Sequence, residues 1–188
     1  MTPAPLGSPL TERRSIHQFR PDPVDAALVS RWLDQAVYAP NHHLTEPWRF
    51  MVITGDTKSR LADIRADQTR AKHAGKPHAE RAAENARREY LQVPLLVAVL
   101  QRLNADPARR EEDYAACACA AFAFMLAAWA DGVGSYWGTG AVTRADATRA
   151  LLGLGDDERI VALIRVGYPD RVPGTRRTPA AELTKWFN

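Results

Sequence analysis

Cysteine is scarce: Cys117 and Cys119 are the only two in 188 residues. On one helix they point about 200° apart, at ~100° per residue, which excludes a disulfide between them. No further cysteine completes a zinc set. Both read as small buried thiols. Lysine is scarce too, with only Lys58, Lys72, Lys76 and Lys185 among 25 basic side chains. Arginine therefore carries the positive charge, and its planar fork suits phosphate. A net charge of +3, spread along the chain, is too small and diffuse to argue for nucleic acid. The most apolar segment, residues 115–130, falls short of the roughly 20 residues that a bilayer crossing needs. It reads as a buried helix rather than a membrane anchor. No basic leader with an apolar run opens the sequence, so the cytoplasm is the default expectation.

What is present describes a globular chain. Hydrophobic residues make up 46% and charged residues 25%, and the length suits one domain spanning residues 1–188. Residues 1–9 read as a loose arm. "DPVDAALVSRWLDQAVYAP" has helical apolar spacing, with Asp22 or Asp25 available as a cap and Pro40 beyond its end. "WRFMVITGD" and "VPLLVAVLQR" read as strands, the second apolar enough to lie inside a sheet. Residues 57–90 give two charged, Ala-rich helical stretches broken at Gly75 and Pro77. A long helix is expected from about Glu111 to Asp131, then a Gly-rich short strand, a helix near Arg144–Leu152 and the strand "RIVALIRVGYP". Strands between helical layers make one α/β-type core.

Three stretches carry chemistry. "ERRSIHQF" sets Arg13, Arg14 and Ser15 in consecutive positions: two guanidinium forks and a hydroxyl, the donors a phosphomonoester wants. A solvated basic helix end is the competing explanation. "GSYWGTGAVT" offers Gly134, Gly138 and Gly140 for close backbone approach, with Trp137 as an aromatic surface. It is not the GxGxxG dinucleotide fingerprint. "APNHHLTEPWRF" pairs His42 with His43, which raises a metal. Catalytic zinc takes three protein ligands, and the spacing offers no third, so no metal is expected. Trp48 and Phe50 are core candidates.

In this order, with "LGLGDDERIVALIRVGYP" following, these stretches resemble the FMN-dependent nitroreductase family, above all its short bacterial NAD(P)H nitroreductases. The resemblance covers about Arg13 to Arg177. It implies an α+β fold, a three-layer α/β/α sandwich around a mostly antiparallel sheet, with the C-terminal tail exchanged in a homodimer. Arg13, Arg14 and Ser15 match the residues that hold the FMN phosphate. Trp137, Gly138 and Thr139 match the segment passing the flavin ring near N5. Tyr38 and His42 match positions that reach FMN from the other subunit, and Arg176 and Arg177 match a C-terminal phosphate contact that usually reads Lys-x-Arg. His43 is expected to be a solvated neighbour.

Three departures stand out. Glu46 occupies a position where many members carry Gln, in Asn-x-Gln-Pro-Trp. His17 stands where larger members have a basic flavin contact, which makes that charge pH-dependent. Pro3, Pro5 and Pro9 shorten the preceding helix.

The implied activity is hydride transfer from NAD(P)H through flavin N5 to an electron-poor small molecule, a nitro compound or quinone, by a ping-pong cycle. Chemistry on the cofactor needs no catalytic side chain. A flavin carrier or sensor without turnover, or another redox reaction such as dehalogenation, is the alternative. Residues 57–90 are expected to roof the pocket.

Overall fold

The apolar run of β2 (Leu95–Arg102) decides the architecture. Leu95, Val97 and Val99 belong to one core, while Leu96, Ala98 and Leu100 belong to another. A strand apolar on both faces needs a layer on each side. The computed structural model, which describes residues 8–187, has that arrangement. β1 (Trp48–Ile53), β2, β4 (Glu158–Gly167) and β3 (Gly134–Gly138) form an antiparallel sheet in the order β1-β2-β4-β3.

One face is covered by α2 (Ala26–Ala36) and α5 (Pro107–Ala130), which bring Trp32, Phe124 and Met125 onto the sheet. The other is covered by α3 (Gly55–Lys72) and α4 (Ala79–Leu91), with α6 (Asp146–Leu152) beside them, around Leu61, Tyr90 and Leu163. The three-layer α+β sandwich is thus what the chain builds. Two single turns, α1 (Pro9–Glu12) and α7 (Ala180–Leu183), bury no residue.

Local signals explain the helix limits. Asp25, not Asp22, caps α2: its side chain accepts from the Ala27 N–H at 2.8 Å. The long helix α5 starts earlier than the apolar pattern suggests. Asp106 accepts from the Ala108 N–H at 3.0 Å, and Pro107 takes the first helical position, where no N–H is needed. The resulting 24-residue helix is long and apolar enough to cross a membrane by length and composition alone. Its Ala116, Cys117, Ala120, Ala121 and Phe124 instead lie in the core. Most of the arm expected over residues 1–9, with Pro3 and Pro5, lies outside the described residues.

The cysteines divide. Cys117 is buried, and burial followed by the nearby Asp113 carboxylate pushes its thiol up to about 12. Such a thiol is inert. Cys119 is exposed, which corrects the expectation of two buried thiols: it points away from Cys117 onto the face of α5 that the sheet does not cover.

α2 and α5 are pinned by one carboxylate. Asp131, at the end of α5, accepts from Trp32 Nε1 at 2.6 Å and from Arg31 at 2.5 Å. Burial pushes this carboxyl up, but the bonds from Trp32 and Arg31 outweigh it, so it titrates below the ordinary range. Its contribution to stability is therefore complete above the unfolded value of about 3.9 and fades as pH falls through the lower folded value. Asp131→Ala leaves the buried Trp32 N–H unpaired and should cost about 1–3 kcal/mol. Thermal melting should show that loss at pH 7 and a smaller gap near pH 3; equal melting at pH 7 rules the pair out as a clamp.

Candidate functional site

The site starts from a missing side chain. A Cβ on Gly134 would meet Ile16 Cγ1 at 2.5 Å and Pro169 Cγ at 2.9 Å. Without it, fully buried Ile16 lies directly on β3. The Ile16 N–H donates to the Ser135 carbonyl at 3.0 Å, and Ser15 pairs with Ser135 in a parallel bridge. This rung ties Arg13, Arg14 and Ser15 to the strand that carries Trp137 and Gly138 and leads into Thr139. Two stretches far apart in sequence become one surface.

Positive charge gathers there. Arg13 is half-buried, and its pKa is lowered by burial, then by Arg14, then by Arg177. That repulsion marks the C-terminal Arg177 as a near neighbour. Arg14 Nη1 donates to the carbonyls of Thr11 at 2.8 Å and Arg13 at 2.9 Å. Arg177 donates to the Thr175 hydroxyl and the Arg176 carbonyl, and Arg176 itself is exposed. No carboxylate pairs with any of these four arginines among the described residues. A cluster of guanidinium groups without an acid is complementary to an anion.

Tyr136, Trp137, Gly138 and Thr139 also line a cavity of about 260 Å³ together with Arg65 and Arg165. Arg165 was not singled out by the sequence, although it is 7% exposed. Its guanidinium lies 3.9 Å from the Tyr136 ring centroid and 3.3 Å from Glu89. His17 stacks edge-on against the same Tyr136 at 4.9 Å. Burying a cation against one half-exposed carboxylate is costly, so it is retained where it faces something electron-rich. The register explains the grouping: Tyr136 pairs with Arg165 across β3 and β4. An isolated Arg inside an apolar strand was the available signal.

Tyr38 and His42 lie elsewhere. Tyr38 is 88% exposed at the end of α2. His42 opens the turn His42–Leu44, stacks on His43 at 3.8 Å and holds Glu112 of α5 through Nδ1 at 2.9 Å. No hydrogen bond or ion pair joins either residue to Arg13 or Thr139 among the described residues. Glu112 corrects the view that the histidine pair lacks a third donor, because the helix brings it from 70 positions away. Donor atoms of His42, His43 and Glu112 lie within 4.8 Å of one another. Yet the 2.9 Å separation is a hydrogen bond, shorter than the roughly 3.3 Å between ligands on tetrahedral zinc. Trp48 and Phe50 pack into the core as expected.

A larger cavity of about 750 Å³ lies between Phe19, Pro21, Lys58, Val93 and Pro94. Lys58 donates there to the carbonyls of Val93 at 2.5 Å and Pro94 at 3.3 Å, so its charge is engaged. Size alone does not make this the site.

Comparison with known proteins places the chain in a family. The Nitroreductase family model matches residues 10–168. YfhC of Bacillus subtilis, which bears the name NAD(P)H nitroreductase, is 33% identical over 172 residues, 90% of this chain and 88% of YfhC. YdjA of Escherichia coli, named in the same way, is 28% identical over 85% of this chain and 86% of its own. A nitroreductase-like family protein from Bacillus cereus superposes with a TM-score of 0.82 at 28% identity, covering 100% of this chain and 98% of that one. The FMN-dependent nitroreductase NfnB of Mycobacterium smegmatis, solved in complex with NADPH, shares the fold at a TM-score of 0.74 and 22% identity, covering 96% of each chain. The chain belongs to the nitroreductase family and is an oxidoreductase of that type. Arg176 and Arg177 lie beyond the matched residues.

Gly134→Ala should push Ile16 off β3 and cost about 1–3 kcal/mol. Hydrogen exchange at the Ile16 amide should accelerate more than at β2 amides. Unchanged exchange there means that the rung does not depend on Gly134.

Proposed function

We propose that this chain binds FMN between two copies of itself and passes electrons from NAD(P)H to an electron-poor small molecule such as a nitro compound or quinone. One domain spans residues 1–188. Arg13, Arg14 and Ser15, with Arg176 and Arg177, take the phosphate. Trp137, Gly138 and Thr139 run along the ring, and Tyr38 and His42 reach it from the partner subunit. When bound, FMN supplies hydride acceptance and donation, and the cycle is ping-pong.

The observation that carries the reading is the Ile16–Ser135 bond at 3.0 Å, which joins an acid-free arginine cluster to a glycine-bearing strand edge. The cavity beside it fits half of such a cofactor site. Its 260 Å³ lies below the ~300–1,000 Å³ usual for ligand pockets, as expected if a second copy completes it. Uncovered apolar side chains support dimerisation: Leu44 is 82% exposed, Trp186 88% and Phe187 91%. The last two suit a tail that wraps onto the partner. Arg65 on α3 and Glu89 on α4 line the cavity, which supports the 57–90 segment as its roof. Relatives named NAD(P)H nitroreductases, and a fold neighbour described as FMN-dependent and solved with NADPH, point the same way.

Within this pocket the residues have distinct tasks. Arg13 and its neighbours neutralise the phosphate dianion. The backbone N–H groups at Gly138 and Thr139 offer donors at the ring edge. Arg165 brings positive charge beside Tyr136, where it would favour added electron density on a bound flavin.

Purified protein should be yellow, and anaerobic NADPH or NADH should bleach its visible band. A yellow protein that neither nicotinamide bleaches is a carrier or sensor instead. Combined Arg13→Ala and Arg14→Ala should release FMN during gel filtration; retention means that the phosphate lies elsewhere. His42→Ala should weaken FMN binding by about tenfold, roughly 1.4 kcal/mol, without lowering the melting temperature of the flavin-free protein.

A further inference from the structure

β4 outruns its neighbour. Gly138, the last residue of β3, pairs with Leu163, whereas β4 continues back to Glu158 against β2 alone. The turn Ala141–Arg144 and α6 close over the notch, leaving a second cavity of about 360 Å³. Arg144, Arg149 and Arg159 line it, with Tyr114, Thr139 and Thr143. Thr139 also lines the Arg165 cavity, so the two spaces share one wall.

Charge in this cavity is unbalanced. Arg144 makes a single long contact, 3.5 Å to the Thr139 carbonyl, and no ion pair among the described residues. Arg149 is held rigidly by neutral partners, the carbonyls of Glu158 at 2.8 Å and Gly155 at 2.7 Å. Arg159 donates to Gln101 at 2.7 Å and lies 4.8 Å from the Tyr114 ring centroid. Its carboxylate, Glu111, is 3.8 Å away and three-quarters exposed. The other nearby acids face away: Asp157 towards Arg102 at 3.6 Å, and Glu158 towards the Gly155 N–H at 3.1 Å. Three guanidinium groups, two of them fixed in place, thus surround open space against one loosely held negative charge. Pre-positioned forks of this kind bind phosphate or carboxylate oxygens.

We propose that this cavity is a binding site for an anionic group, phosphate or carboxylate, on a molecule that approaches the Thr139 backbone. Resting on the flavin reading, that molecule is the electron donor or the electron acceptor, and the cavity selects for its charge. Arg144 reaches the ligand, while Arg149 and Arg159 set the field.

The test compares benzoate with its neutral isostere benzamide by calorimetric titration into the protein as purified. Benzoate should bind at least tenfold more tightly. Arg144→Ala should erase that difference, and Arg144→Lys should keep most of it. Equal binding of both probes, or a benzoate affinity indifferent to Arg144→Ala, overturns the proposal. Because this measurement needs no turnover, a colourless protein would sink the flavin reading without deciding the cavity.

In FMN-loaded protein, anaerobic rapid mixing then assigns the source of the anion. If Arg144→Ala slows reduction by NADPH but not by NADH, the donor's extra phosphate occupies the cavity. If it slows reoxidation by 4-nitrobenzoate but not by 4-nitrobenzamide, an acidic acceptor does. No selective effect in either pair contradicts a role in electron transfer.

Discussion

One backbone hydrogen bond joins the two halves of the candidate site: the Ile16 amide on the Ser135 carbonyl, at the outer edge of β3. A sheet edge is a row of unpaired donors and acceptors, normally a liability. Here the N-terminal segment caps it with a single parallel rung and then turns away. It leaves beyond it a strand end that carries Tyr136 and Trp137 and finishes at Gly138. The same rung fixes Arg13 and Arg14 relative to Gly138 without either arginine having to touch the strand. Gly134 makes the approach possible, and Ile16 secures it by complete burial.

Against that edge the chain sets more positive charge than it neutralises. Some of its other arginines have acidic partners: Arg31 with Asp131, Arg70 with Asp67 and Glu80, Arg87 with Asp63. Around β3 acids are sparse. Arg13 and Arg14 have no acid among the described residues, Arg165 is buried against one half-exposed glutamate, and Arg144 has only a distant carbonyl. Exposed pairs contribute little to stability, so the pairs elsewhere do little to hold the fold together. The acid-free forks are the donors that the proposed anion would engage. The predominance of arginine over lysine matters here, because a rigid fork keeps its geometry with only part of its donors engaged.

The layered fold was legible in the sequence because its signals are local. The unbroken apolar run in "LLVAVL", the Gly75 and Pro77 break, and Asp25 before an apolar period each act within a few residues. The phosphate-binding candidates Arg13–Ser15 and the glycine strand were also visible as separate motifs, but only the family resemblance brought them together: their adjacency depends on a rung between residues 120 positions apart. Arg165 was hidden for a related reason. Inside "RIVALIRVGYP" it reads as an interruption of an apolar strand, and only the register with Tyr136 gives it a partner. Glu112 is not legible beside the histidines, because α5 delivers the acid across space from 70 positions along the chain. Cys119 failed in the opposite sense: a residue in an apolar helix was assumed buried, yet that helix has one face that the sheet does not cover.

The loop that follows α2 is built against its own backbone preferences. His43, Leu44 and Glu46 all adopt positive φ, at 62°, 50° and 43°, without a glycine among them. Left-handed backbone costs an L-residue about 1–2 kcal/mol, so the loop holds several kcal/mol of strain. Its restraints are correspondingly firm. Asn41 accepts from the Glu46 N–H at 2.7 Å and donates to Thr45 at 3.0 Å, and the Thr45 hydroxyl donates to buried Asp113 at 2.5 Å. Strain of this kind persists where the surroundings over-determine it, and it tends to gather at functional surfaces. This one directs His42 and Leu44 outward, away from their own core. A segment already rigid loses little entropy when it docks, so its contacts translate into affinity more fully than those of a mobile loop. Glu46 replaces an amide without disturbing this arrangement, because its backbone rather than its side chain is the group that Asn41 holds.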